Sequence, residues 1–154
     1  MKTAEEMIKE QNHDVICVSP ETTIKEALVL MNKNKIGAIL VRGSEDIEGI
    51  WTERDLLRNV LIEGFSPETA KIKDYMTKNL QYAEHNETTI QLQDKFLGLR
   101  IRHLLVRNNG KFIGMVSSGD VTRHSLNEKT EELKSLNQII NWEYYENWHW
   151  KKKK

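Results

Sequence analysis

The sequence predicts a mixed α/β protein of α+β character, two βαββα units followed by a C-terminal helix, and three observations carry that expectation. First, a glycine, two apolar residues, a hydroxyl residue, two variable positions and an aspartate occur in that order twice, as GIWTERD (Gly49 to Asp55) and as GMVSSGD (Gly114 to Asp120). Second, KI at Lys35, LV at Leu40 and Gly49 return sixty-five positions later as RI, LV and Gly114, while ETTI at Glu21 returns sixty-six positions later at Glu87. A period this long in only two copies excludes a solenoid and points to one duplicated unit. Third, each half of about 60 residues would bury its apolar faces only marginally alone, so the halves are expected to pack together.

Taken in order, residues 3–11 read as a short helix with Ala4, Met7 and Ile8 on one face. His13 and Asp14 lead into a strand from Val15 to Val18, and Ser19-Pro20-Glu21 turns the chain. Thr22 or Thr23 caps a helix in which Ile24, Ala27, Leu28 and Met31 share a face, and Asn32 to Lys35 end it. The apolar run Ile36 to Val41, the polar turn RGSEDIE and the strand entering Gly49 form a hairpin. Thr52 starts the next helix, which carries Leu56, Leu57, Val60 and Leu61, and residues 62–70 connect the halves.

In the second copy, the change of offset from sixty-six to sixty-five implies one residue deleted inside the first helix. Gln93 and Asp94 then fall where Ala27 and Leu28 sit, and the apolar stripe moves to Leu92, Phe96 and Leu99. Beyond the second signature, Leu133, Leu136, Ile140, Tyr144 and Trp148 mark a final helix, with Trp142 and Trp150 off its stripe. That helix either packs on its own domain or offers its surplus aromatics to a partner. The last four lysines read as a solvated tail. The expected domains are 1–66, a first repeat with the N-terminal helix; 67–126, a second repeat; and 127–154, the aromatic-rich helix and Lys tail.

Lysine plus arginine equals aspartate plus glutamate, 23 each, so no overall field favours nucleic acid or an anionic membrane. No apolar run nears the ~20 residues that span a bilayer. MKTAEEMIKE is unlike a signal peptide, so a cytoplasmic protein is expected. Cys17, within VICV, reads as a reduced core thiol. The histidines show no metal-ligand spacing, and no nucleophile elbow, P-loop or dinucleotide fingerprint is present, so no enzyme activity and no catalytic cofactor are expected. A recognition helix for nucleic acid is also absent from the pattern.

The signatures admit two readings. Thr52 with Asp55, and Ser117 with Asp120, have the spacing of a capping box with Asp in place of Glu. Alternatively, a hydroxyl and a carboxylate at a helix start serve a nucleotide, the free N–H groups taking an anion and the carboxylate taking vicinal hydroxyls. Two copies in register weigh toward the second. Strand alternation puts Ile50 and Thr52 on one face and Trp51 on the other. Arg102 and His103 are either a solvated strand edge or phosphate ligands, a forked guanidinium and an imidazole that adds charge. Their first-half counterparts, Gly37 and Ala38, carry no charge, so two such sites would bind unequally.

With both halves in view, the chain resembles tandem CBS-domain proteins, named after cystathionine β-synthase, and especially the small bacterial stand-alone CBS pairs. The resemblance rests on VICVSPETTIKEALVLM, KIGAILV, GIWTERDLLR, IKDYMT, RIRHLLV and GMVSSGD, which together cover nearly all of residues 3–126. It implies pseudo-twofold packing with two clefts, each joining the signature of one repeat to a wall of the other. One cleft would join Ile50, Thr52 and Asp55 to Thr88, Ile101, Arg102 and His103. The other would join Met115, Ser117 and Asp120 to Thr22, Ala27, Ile36 and Gly37.

In such clefts the aspartate holds ribose hydroxyls, the Thr or Ser binds phosphate and apolar residues sandwich adenine. The implied function is a regulatory adenosine-nucleotide-binding module, an energy or metabolite sensor, with AMP the foremost ligand and ADP, ATP or NAD as others. A homodimer is implied, and an unidentified protein partner would meet the C-terminal helix. The alternative is a ligand-free structural dimerisation or protein-interaction module.

Overall fold

A threonine starts the first helix of each repeat. The computed structural model describes residues 1–11 and 14–139. Thr23 caps α2 (Ile24–Asn34) and Thr88 caps α4 (Thr89–Leu99), each hydroxyl accepting the N–H of Glu26 or Gln91, whose side chain reaches back to the cap. Each helix runs eleven residues and stops at a left-handed residue, Lys35 or Arg100, both at φ 54°. Strand pairing keeps the same offset of sixty-five, since Cys17 faces Leu40 as Tyr82 faces Leu105.

The expected deletion in α4 is therefore absent. ETTI matches at sixty-six because two adjacent threonines let the match slide by one, whereas capping selects the second threonine in one repeat and the first in the other. Thr89 takes the place of Ile24, Leu92 that of Ala27 and Phe96 that of Met31, all of them buried. Gln93 and Asp94 do not replace Ala27 and Leu28, and Ile90 turns outward at 53% exposure.

In the first repeat, β1 (Cys17–Val18), β2 (Ala38–Arg42) and β3 (Ile47–Thr52) form a sheet in that order, β1 parallel to β2 and β2 antiparallel to β3. In the second, β4 (Tyr82–Glu84), β5 (His103–Asn108) and β6 (Lys111–Ser117) repeat the pattern, with matching irregularities at Val41/Arg42 and Val106/Arg107. The expected hairpins are thus present. α3 (Glu53–Asn59) follows β3, and α5 (Ser118–Ile139) follows β6 as one unbroken helix through residues 126 and 127. His13, Ile140, Trp142, Tyr144, Trp148, Trp150 and the terminal lysines lie outside the described residues.

Each repeat is completed by the segment that precedes the other. α1 (Ala4–Glu10) inserts Ala4 and Met7 among Ala83, Leu92, Phe96, Leu104 and Val116 of the second repeat. The short 3-10 turn Ile72–Asp74 inserts Ile72 among Ile24, Ala27, Ile39 and Trp51 of the first. Backbone bonds tie both exchanges. Ala4 N–H donates to Glu87 O at 2.8 Å and Thr89 N–H to Lys2 O at 3.1 Å; Ile72 N–H donates to Thr22 O at 2.8 Å and Ile24 N–H to Ala70 O at 2.9 Å. Burying these groups without partners would cost what a lost hydrogen bond costs, so the exchange fixes chain path as well as core.

The two sheets meet through a third apolar layer, Leu40, Ile47 and Leu105 with Val15, Ile50, Phe112 and Met115 around them. Cys17 lies in this layer, half-buried, and desolvation pushes its thiol pKa up, which keeps it protonated and inert.

Candidate functional site

Alternation along β3 sends Trp51 into the helix-side core, where its indole N–H donates to Asn59 Oδ1 at 2.9 Å, and turns Ile50 and Thr52 toward the other repeat. Where the sheets part, two clefts open. The first, about 260 Å³, is lined by Ile50, Thr52, Arg54, Asp55 and Arg58 on one side, Arg100, Ile101, Arg102, His103 and Leu105 on the other, and Thr77, Asn79 and Gln81 between them. The second, about 450 Å³, is lined by Met115, Ser117 and Asp120 facing Asn34, Lys35, Ile36, Gly37 and Ala38, with Gln11, Asp14, Val15, Ile16 and His103 completing it. Most of these lining residues match at the sixty-five-residue offset: Ile50 with Met115, Asp55 with Asp120, Asn79 with Asp14, Arg100 with Lys35.

Three residues expected in the clefts lie elsewhere. The Thr88 hydroxyl is committed to capping α4. Ala27 is wholly buried in the first repeat's core, where its small side chain lets α2 approach the sheet. Thr22 pairs its hydroxyl with that of Ser19 at 3.2 Å in the turn, and its carbonyl accepts from Ile72. The other expected residues reach their clefts, including Ile36, Gly37, Ile101, Arg102 and Met115.

The capping boxes are real and occupy only half of each carboxylate. Asp55 Oδ2 accepts from Thr52 N–H at 2.9 Å and from Thr52 Oγ1 at 3.2 Å, and Asp120 Oδ2 accepts from Ser117 N–H at 2.9 Å. The second oxygens face Arg58 Nη1 at 3.8 Å and Arg123 Nη1 at 3.7 Å. The capping reading holds in both copies, and it leaves one oxygen of each carboxylate outside the cap. Asp55 is the more enclosed of the pair, at 8% exposure.

His103 lines both clefts. Burial, and then the Arg102 guanidinium, push its pKa below the ordinary value of 6.5, against a weaker pull from Asp120 and Glu53. The fold therefore disfavours the charged imidazole, against the expectation that it adds charge; the neutral ring keeps one donor and one acceptor nitrogen.

Sequence reasoning missed Arg54, Arg58 and Arg100. The repeated Lys/Arg-Ile pair at Lys35 and Arg100 was visible, but the left-handed turn that aims these side chains was not. Among the described residues no three His, Cys, Asp or Glu side chains gather as a metal site, and no described helix is long and apolar enough to cross a membrane.

A family model described as CBS domain matches residues 5–62 and again 72–127. The chain is similar to the CBS domain-containing protein CBSX3, mitochondrial, of Arabidopsis thaliana, 35% identical over 130 residues; the match takes in 78% of this chain and 61% of that protein, so the chain spans about three fifths of that relative. Among solved structures, the CBS-domain containing protein ATU1752 of Agrobacterium tumefaciens superposes with a TM-score of 0.74 at 34% identity, covering 80% of this chain and 99% of that one. CBSX2 in complex with AMP gives 0.67 at 26% identity, covering 82% and 98%.

Proposed function

The chain belongs to the CBS domain family, and we propose on that footing that it is a regulatory module that binds an adenosine nucleotide, AMP foremost, between its repeats. The observation that supports this reading is the first cleft itself: a half-free, enclosed aspartate, an apolar wall of Ile50, Ile101 and Leu105, and a cluster of arginines meet in one cavity. CBSX2, similar in fold, is known with AMP. Asp55 Oδ1 takes the ribose hydroxyls, the apolar wall takes adenine and Arg102 takes phosphate. The module works in the cytoplasm and performs no chemistry of its own. It signals only if the ligand prefers one arrangement of the repeats, since equal affinity for two states shifts nothing.

Thermal melts with adenosine, AMP, ADP, ATP and NAD test the reading. Ligand at ~100 times its dissociation constant adds about 2.7 kcal/mol, and Asp55→Asn abolishes the shift. Silence from every adenosine compound at millimolar concentration sinks it.

A second reading, a dimerisation module, is favoured by a specific observation. Leu61 and Leu126, at equivalent positions, are 86% and 61% exposed, with Leu57 nearby on α3. Apolar side chains left this bare at matched places suit a surface shared with a second copy. Leu61→Lys with Leu126→Lys yields a monomer by sedimentation equilibrium if that surface pairs; an unchanged mass removes it. The two readings are compatible, since Leu57, Leu61 and Leu126 line neither cleft.

A further inference from the structure

We infer that the two clefts are sorted by charge: the first is a site for the polyphosphate end of a nucleotide, with Arg54 and Arg58 extending it beyond a single phosphate, and the second excludes phosphate. This rests on the reading of the clefts as adenosine-nucleotide sites and states which ligand each one admits.

The offset of sixty-five makes each cleft a control for the other. Among described residues, the first cleft gathers Arg54, Arg58, Arg100 and Arg102 against one carboxylate, Asp55. In the second, Gly119 stands for Arg54, Gly37 for Arg102 and Lys35 for Arg100. The counterpart of Arg58 is Arg123, which approaches Asp120 at 3.7 Å and is not on the cleft wall.

The negative charge moves the opposite way. Asp14 replaces Asn79 on the wall, and the Glu53 carboxyl lies over Gly37, where a side-chain carbon would sit 3.2 Å from it. The second cleft therefore presents Asp14 and Asp120 with Glu53 at its rim, against Lys35 on the wall and Arg123 beside Asp120.

Arg54 and Arg58 are four apart on α3, so their like charges lie on neighbouring positions of one helix face and oppose each other. Asp55, at 3.8 Å from Arg58 and already bonded to Thr52, offsets only part of this. An anion between the arginines relieves the repulsion, and guanidinium forks match phosphate oxygens. A phosphate entering the second cleft meets carboxylates instead, and like-charge juxtaposition is an effective means of rejection.

Calorimetric titration of the full chain in metal-free buffer with adenosine, AMP, ADP and ATP tests the proposal. One nucleotide per chain is expected, with affinity rising about five- to tenfold per added phosphate at low salt and less at high salt. Arg54→Gln with Arg58→Gln flattens the rise from AMP to ATP, read as a ratio to adenosine affinity, and Arg54→Lys with Arg58→Lys restores part of it. A melt confirms that the variants fold, which their exposed positions favour.

Two equal ATP sites per chain, ATP no tighter than AMP, or an unaltered slope in the Gln pair overturns the charge sorting while leaving the nucleotide reading intact. Silence from all four ligands, adenosine included, removes both.

Discussion

Gly114→Ala tests whether the N-terminal helix completes the second repeat. A methyl carbon on Gly114 would lie 2.6 Å from Ile8 Cδ1, 2.9 Å from Cγ2 and 3.2 Å from Cγ1. Carbon atoms attract best at about 3.5–4.0 Å, so each contact is repulsive. The Cδ1 clash is relieved by rotating the outer torsion, but Cγ2 moves only with χ1, which strongly prefers one setting in a helix. Neither backbone yields easily: Gly114 is paired with Val106, and α1 is held by Ala4 and Glu5 N–H groups donating to Glu87 O and His85 O at 2.8 and 2.9 Å.

Overpacking of this kind costs about 1–3 kcal/mol, and the fixed Cγ2 places the expectation in the upper half. Ile8→Ala removes all three opposing carbons, so the double variant should recover about 1–2 kcal/mol relative to additivity. Urea unfolding of the four-member cycle, followed by far-ultraviolet circular dichroism, measures this coupling. Additive effects, or a neutral Gly114→Ala, would refute the packing of α1 on β6. Because Gln11 Nε2 donates to Met115 O at 3.0 Å, a displaced α1 also reshapes the second cleft.

Three further outcomes follow from the same geometry. Trp51→Phe removes the donor to Asn59 Oδ1 and leaves that oxygen buried without a partner, costing about 1–3 kcal/mol by denaturant titration; adding Asn59→Leu should recover part of it, and no recovery would assign the cost to packing alone. His103 has its pKa lowered in the fold, so its contribution is fully present above the ordinary value of 6.5 and is lost as pH falls through that value, the unfolded chain taking the proton first. His103→Gln should therefore flatten stability against pH just below 6.5, and an unchanged profile would contradict the burial of the ring. Arg100→Gly relieves a left-handed side chain, a conformation costing about 1–2 kcal/mol, offset by glycine's added freedom of about 0.5–1 kcal/mol. The melting temperature should rise slightly while phosphate binding in the first cleft weakens, and a fall in melting temperature would show that Arg100 makes compensating contacts.

What the sequence determined by itself is what short-range chemistry determines: threonine caps, hairpins from apolar runs around polar turns, the outward face of Ile50 and Thr52 against the inward face of Trp51, and a duplicated signature that closes as a capping box in both places. The ETTI match misled because residue type at two adjacent threonines does not say which one caps; only the helix that forms does. Of the residues in the family's site pattern, Asp55, Arg102 and Asp120 line the clefts, whereas the groups of Thr22, Ala27 and Thr88 are taken up by a turn, a core and a cap.

Tertiary structure alone decided that α1 and Ile72 change repeats, that His103 lies between two cavities and that four arginines converge on one of them. These depend on distances between residues far apart in the chain and on a field summed over several elements. Neither quantity is carried by any local run of side chains.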